Sequence, residues 1–205
     1  MVEVTKELER MGHIAVENLI KAVNVLIKPE DKIIEEVYET EQQINYMNHA
    51  ITDYLVKISQ STLPIDDMKN IGGLFHVVND IERIGDHAEN AADSAILSKE
   101  KNISFSKESE EELLEMLNRV IKITNYSIDM FSNNSKEHLQ EILDLENGID
   151  QMERDLQEAH VERLKKGQCR QEAGMIFSDI ISGLERVADH ATNIAFSILD
   201  EKPEE

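Results

Sequence analysis

The sequence predicts an all-α protein built from two tandem three-helix repeats, and three observations lead there. Apolar residues recur at three- and four-residue spacing through nearly the whole chain, and only three Pro and eight Gly interrupt 205 residues. One acidic segment also occurs twice at a fixed interval. An aromatic share of 4% with no Trp points the same way, because strands favour aromatic and β-branched side chains.

Val4, Leu8, Met11, Ala15, Leu19, Ala22 and Leu26 form the stripe of an amphipathic helix over residues 3–27, ended by Lys28-Pro29. Over residues 31–60 the stripe Val37, Ile44, Ile51, Leu55 and Ile58 describes a second, longer helix that Ser61-Thr62-Leu63-Pro64 breaks. A third runs over residues 66–98 through Ile71, Phe75, Val78, Ile81, Ala88, Ala92 and Ile96. Residues 99–106 are polar and irregular and read as the central linker, with Ser104 or Ser106 as the next N-cap. The fourth helix carries Leu113, Leu117, Val120, Thr124, Ile128 and Phe131 up to the Asn133-Asn134-Ser135 turn. A fifth is expected over residues 136–166 with Gly167 at its C-terminal cap, and a sixth over 171–199 before an acidic tail at 200–205. The whole reads as a single domain of two halves, about 1–99 and 106–200.

The repeat is carried by DIERIGDHAENAADSAIL at 80–97 and GLERVADHATNIAFSIL at 183–199, aligned at a constant offset of 103. Glu82/Glu185, Arg83/Arg186, Asp86/Asp189, His87/His190, Ala88/Ala191, Asn90/Asn193, Ala92/Ala195 and Ser94/Ser197 are identical pairs. A weaker echo links Glu39-Thr-Glu41-Gln-Gln-Ile44-Asn45 to Asp144-Leu-Glu146-Asn-Gly-Ile149-Asp150 at an offset of 105. Duplication of a three-helix unit follows.

Composition excludes several classes. A formal charge of −21 repels a nucleic-acid backbone and suits cations, basic protein partners or plain solubility. One cysteine, Cys169, leaves no internal disulfide and no Cys-rich zinc site, which fits a reducing compartment. No run reaches the roughly 18 apolar residues of a membrane span. Glu3, Glu7 and Glu9 sit where a signal peptide is basic and then apolar, so a cytoplasmic location is expected. Gly-x-Ser-x-Gly, P-loop and Rossmann fingerprints are missing, and no histidine has Glu three residues before it, so the helical di-iron motif is absent too.

Positions i and i+4 of a helix share a face about 5–6 Å apart at Cβ, so Glu82 and Asp86 form an acidic patch that Asn90 continues. Glu185, Asp189 and Asn193 repeat it. Glu41 falls in a stripe where a hydrophobe is expected, and Glu82 is flanked by Ile81 and Ile84. Half-buried neighbouring carboxylates must take up a proton, find a cation or bind metal. Adjacent helices can bring Glu41 and Asn45 against Glu82 and Asp86, and Glu146 and Asp150 against Glu185 and Asp189. Oxygen-rich sites of this kind suit Mg, Mn, Fe or Zn without choosing among them. The competing reading has Arg83, Arg186 or a lysine pairing with these carboxylates as ordinary salt bridges. His87 and His190 follow the aspartates about 100° round the helix, where they flank a site without ligating it.

The paired segments Ile81-Glu-Arg-Ile-Gly-Asp86 and Leu184-Glu-Arg-Val-Ala-Asp189 resemble those of the PhoU family of phosphate-uptake regulators, and the resemblance spans essentially the whole chain. It implies a six-helix bundle, commonly dimeric, that binds multinuclear clusters of divalent or trivalent metal and restrains phosphate uptake or signalling when phosphate is plentiful. By that resemblance the ligands fall on Glu41, Asn45, Glu82 and Asp86 in one repeat and on Glu146, Asp150, Glu185 and Asp189 in the other. Asn45 in place of a carboxylate, and Ala188 where the first repeat has Gly85, imply sites of unequal affinity. The opening Val4-Thr-Lys-Glu-Leu-Glu-Arg-Met-Gly12 also resembles the PhoU-like cytosolic domain of bacterial sodium/phosphate cotransporters.

The expected function is therefore a non-enzymatic regulator of phosphate homeostasis. It would contact a phosphate transporter component or a sensor histidine kinase in the cytoplasm, at or near the inner face of the membrane. A metal-dependent phosphohydrolase and a metal-free structural bundle are the rival readings.

Overall fold

The structure is a computed structural model that describes residues 2–61 and 65–199. Thr62-Leu63-Pro64 of the expected second breaker and the acidic tail at 200–205 lie outside the described residues. Six helices follow in order: α1 (Val2–Ile27), α2 (Asp31–Ser59), α3 (Ile65–Glu100), α4 (Lys107–Asn133), α5 (Leu139–Lys165) and α6 (Gln171–Phe196).

Their apolar stripes dictate the packing. α1 buries Val4, Leu8, Met11, Ala15, Leu19, Ala22 and Leu26, and α4 buries Leu113, Leu117, Val120, Thr124, Ile128 and Phe131, all as the spacing predicts. The four helices α1, α3, α6 and α4 form a closed ring in which α1 meets α3 and α4, and α6 meets α3 and α4. α2 lies against α1 and α3, and α5 against α4 and α6; among the described residues neither packs on a helix of the other repeat. One apolar cluster runs through both halves. The two repeats thus share a core through their first and third helices and carry their second helices outside.

Helix ends follow local chemistry. α3, α4 and α5 each close with a residue in the left-handed region, Asn102 (φ 52°), Asn134 (φ 48°) and Gly167 (φ 65°). Each makes the same pair of backbone bonds: Ile103 to Ser98 and Asn102 to Lys99, Ser135 to Met130 and Asn134 to Phe131, Gln168 to Arg163 and Gly167 to Leu164. Ser106 caps α4 through Oγ, which accepts the Ser109 N–H at 3.1 Å. α5 begins at Leu139, three residues later than the spacing predicts, because Ser135 Oγ accepts the Glu137 N–H and residues 135–138 turn instead. α6 stops at Phe196 rather than 199: Ser197 Oγ donates to the Ile194 carbonyl at 2.6 Å and competes with the ladder.

Polar contacts tie the outer helices down. Asn18 Nδ2 donates to the Val37 carbonyl at 3.0 Å, joining α1 to α2 in a buried setting. On the other side Arg163 of α5 grips Glu112 of α4 through two parallel bonds, Nη1 to Oε1 at 2.9 Å and Nη2 to Oε2 at 2.8 Å. The guanidinium lies 5.4 Å from the centroid of the Phe177 ring of α6, so one side chain ties three helices together.

His160 sits beside that arginine, buried, 5.6 Å from Phe177 between ring centroids. Its Nε2 would lie 2.3 Å from a Cβ placed on Gly174, so only glycine permits α5 and α6 to approach there. Gly174→Ala is expected to lower stability by about 1–2 kcal/mol, overpacking outweighing the gain in helix propensity. Urea denaturation, with wild type as reference, measures it.

Candidate metal centre

In the first repeat α2 turns Glu41 inward to 5% exposure, and Asn45 one turn later donates its amide to Glu41 Oε1. α3 presents Asp86 and, three residues on, Glu89. One oxygen each from Glu41, Asp86 and Glu89 lie within 4.8 Å of one another. In the second repeat Asp150 of α5 meets Glu185 and Asp189 of α6 in a second triad of the same closeness.

The triads are not copies. Only Asp86 and Asp189 occupy equivalent positions. Asn45 stands where the second repeat has Asp150, and Thr192 stands where the first has Glu89. Of the residues expected from sequence, Glu41, Asp86, Asp150, Glu185 and Asp189 are brought together in these groups. Asn45 supports Glu41 as a hydrogen-bond donor. Glu82 and the half-buried Glu146 fall outside both triads. Asn90 and Asn193 are exposed one turn beyond the aspartates. Glu89 is the member that the repeat comparison passes over, since its counterpart is a threonine; its position at i+3 from Asp86 was the available signal.

Burial, and then crowding, raises four of these acids. Glu41 is raised by burial first, then by Glu89, Asp86 and Glu82, while the Asn45 hydrogen bond opposes the rise. Burial raises Glu89 and Glu82 as well, with Asp93 the next cause for Glu89 and Asp86 for Glu82. Glu185 is pushed up to about 7 by burial, then by Asp189, Asp150 and Glu153, and Asp189 rises through loss of solvent and through Asp150. Arg83 partly compensates its repeat, donating Nη1 to Asp86 Oδ2 at 2.9 Å. Its counterpart Arg186 makes no ion pair among the described residues. The salt-bridge reading therefore describes Asp86 in the first triad, while beside the second triad Arg186 acts on Glu185 and Asp189 as a nearby positive charge.

His87 and His190 lie off the triads, at the contact of α3 with α6, their rings 6.2 Å apart. His190 Nδ1 pairs with Asp80 Oδ1 at 2.8 Å. The equivalent of Asp80 is Gly183, and there His87 Nδ1 would lie 3.3 Å from a Cβ. Burial, then His190 and Arg186, pull His87 down to about 4, so it is neutral near pH 7. Symmetry between the repeats is broken at this contact, and a cleft of about 440 Å³ opens beside His87 and Arg186.

An all-oxygen donor set in which burial, and then neighbouring carboxylates, raise Glu41, Glu89, Glu185 and Asp189 fits a hard or borderline cation, because bound positive charge offsets the cost of ionising crowded, half-buried carboxyls. Among the described residues the fold and these groups define a class: duplicated all-α bundles with an acidic triad on the outer-helix side of each repeat. The chain belongs to the PhoU family, whose PhoU domain matches residues 8–95 and 113–198. It is 26% identical over 194 residues to the phosphate-specific transport system accessory protein PhoU homolog 1 of Thermotoga maritima, covering 94% of this chain and 83% of that protein. With the corresponding PhoU homolog of Clostridium acetobutylicum it shares 24% identity over 200 residues, covering 96% and 90%. The crystal structure of PhoU from Pseudomonas aeruginosa superposes with a TM-score of 0.87 at 26% identity, over 96% of this chain and 94% of that one. PhoU from Streptococcus pneumoniae, described as a phosphate transport system regulatory protein, shares the fold with a TM-score of 0.83 at 21% identity, over 96% and 92%. No described helix is long and apolar enough to cross a membrane.

Proposed function

We propose that the chain is a non-enzymatic, metal-binding regulator of phosphate uptake that acts by protein–protein contact with a phosphate transporter component or its sensor kinase at the cytoplasmic face. The observation that carries this is the pair of acidic triads at matching places in a PhoU bundle. Its relatives are named as accessory proteins of a phosphate-specific transport system, which supports the regulatory reading over a catalytic one. Glu41, Asp86 and Glu89 would hold one ion or cluster, with Asn45 and Glu82 close by. Asp150, Glu185 and Asp189 would hold the other, with Glu146 one turn away on α5. Fe, Zn, Mn and Mg all match the donor chemistry. The bound ion supplies positive charge that joins an outer helix to the ring; the residues themselves orient the helices and exclude water from Glu41.

Elemental analysis of untagged protein tests the metal reading, comparing wild type with Glu41→Gln/Asp86→Asn and Glu185→Gln/Asp189→Asn. Each pair should remove the metal of its own repeat while circular dichroism stays unchanged. Wild type that takes up no metal after reloading reduces the triads to crowded acids. Phosphate uptake in cells carrying the same variants tests regulation, with uptake expected to rise under phosphate-replete conditions.

A further inference from the structure

The outer helix of the first repeat presents an apolar groove flanked by aromatic rings that have no counterpart at the matching positions of the second repeat. Tyr46 is 74% exposed and Tyr54 is 50% exposed on α2, two turns apart, with the exposed Ala50 midway between them. Val4, Met47 and Ile51, all buried, floor a cavity of about 340 Å³ where α1 meets α2. Neither tyrosine makes a hydrogen bond to another described residue. At the offset of 105 the matching α5 residues are Gln151, Asp155 and Ala159, and Gln151 Nε2 donates to Asp155 Oδ1 at 2.8 Å. One bundle thus folds with a polar face in this place and also with two bare aromatic rings, so the tyrosines are not required by the packing.

We propose that this groove seats a short amphipathic helix of a partner protein, apolar on the inner side and lysine- or arginine-rich on its flanks. It rests on the reading of the chain as a module that works through protein contact. Ala50 between two rings leaves a notch for one apolar side chain, and two turns of α2 match apolar residues at i, i+3 or i+4, and i+7 of an incoming helix. Glu3, Glu7 and Arg10 form the rim; Arg10 is spoken for by Glu7 at 2.7 Å, and Glu3 makes no ion pair with another described residue. On a chain of net charge −21 that rim favours a basic occupant. A second copy is disfavoured as the occupant because it would bring another −21 to this acidic face. Anionic lipid is repelled for the same reason.

The test uses the full chain and a designed helical peptide of about 18 residues, long enough to be helical, with Leu at the inner positions and Lys elsewhere. Binding is read by fluorescence anisotropy. Ala50→Glu fills the notch yet adds negative charge, so seating predicts at least about tenfold weaker binding, whereas attraction to an acidic surface alone predicts equal or tighter binding. Tyr46→Ser/Tyr54→Ser should weaken it similarly, and the Asp155→Ala control on α5 should leave it unchanged. Undiminished binding to Ala50→Glu overturns the proposal. So does a wild-type dimer that Ala50→Glu dissociates in sedimentation, which assigns the groove to a second copy, or binding to phosphatidylserine vesicles that the variant abolishes. Metal content is a separate readout, so loss of the metal reading and loss of this one are distinguishable.

Discussion

Glu112→Ala is expected to lower unfolding free energy by about 3 to 5 kcal/mol, because it strands the Arg163 guanidinium in a place the fold keeps from water. The side chain of Arg163 is 11% exposed and that of Glu112 19%, and their two-point contact takes up Nη1 and Nη2 while Arg163 Nε already has no partner. Removal of the carboxylate leaves the charge to the edge of Glu108, 3.8 Å away and itself well exposed, and to the ring of Phe177. A methyl group cannot fill that space, so the α4–α5–α6 contact loses packing as well as charge balance. Arg163→Met/Glu112→Leu, which removes both ions and keeps volume, should recover most of the loss. Urea unfolding of the three proteins measures it; a single variant that loses less than about 1 kcal/mol would place the pair among ordinary surface contacts.

Metal-free Glu185→Gln should be more stable than wild type at pH 8 and no different near pH 4. Glu185 titrates at about 7 in the folded protein against 4.5 as its ordinary value, so between those values the folded chain holds a proton that the unfolded chain has released. Stability then falls as pH rises through that window, and above it the full cost of ionising a crowded carboxyl is present. Allowing for solvent screening, that cost is about 1 to 2 kcal/mol. Glutamine removes the ionisation while keeping the shape. The opposing change of His87, which loses stability on acidification from 6.5 to about 4, is common to both proteins and cancels in the difference. Urea midpoints in the presence of chelator read the effect. Added Mn or Zn should reverse the order, since wild type then gains the free energy of binding at Glu185 and the variant does not.

The helices were legible because burial imposes a period: every member of the Val4–Leu26 stripe is buried. Their ends were less so, since Ser135 and Ser197 divert backbone groups by single hydrogen bonds that no periodicity reports. The site was readable along each helix and not between helices. Glu82 and Asp86 share a face by spacing alone, but which α2 residue meets them depends on how α2 seats on α3. Ile44 packs close over Gly85, where a Cβ would lie 3.3 Å from its side chain, and at that register Glu41 joins Asp86 and Glu89 rather than Glu82. In the second repeat Ala188 occupies the equivalent crossing, and there Asp150 rather than Glu146 reaches the α6 acids. The Glu112–Arg163 clamp and the Tyr38–Asp93 hydrogen bond join residues far apart in the chain with no echo between repeats, so nothing in the one-dimensional pattern announces them.

α2 and α5 hang on the ring by contacts within their own halves, whereas the ring helices are held from both sides. In hydrogen-exchange terms the outer pair are natural foldons, able to open without unfolding the rest. Each triad draws one acid from such a helix and two from the ring, so a cation held there would act as a latch between outer helix and ring. Its concentration would set how often an outer helix peels away, and the amide protection of α2 and α5 would record that setting long before the ring responds.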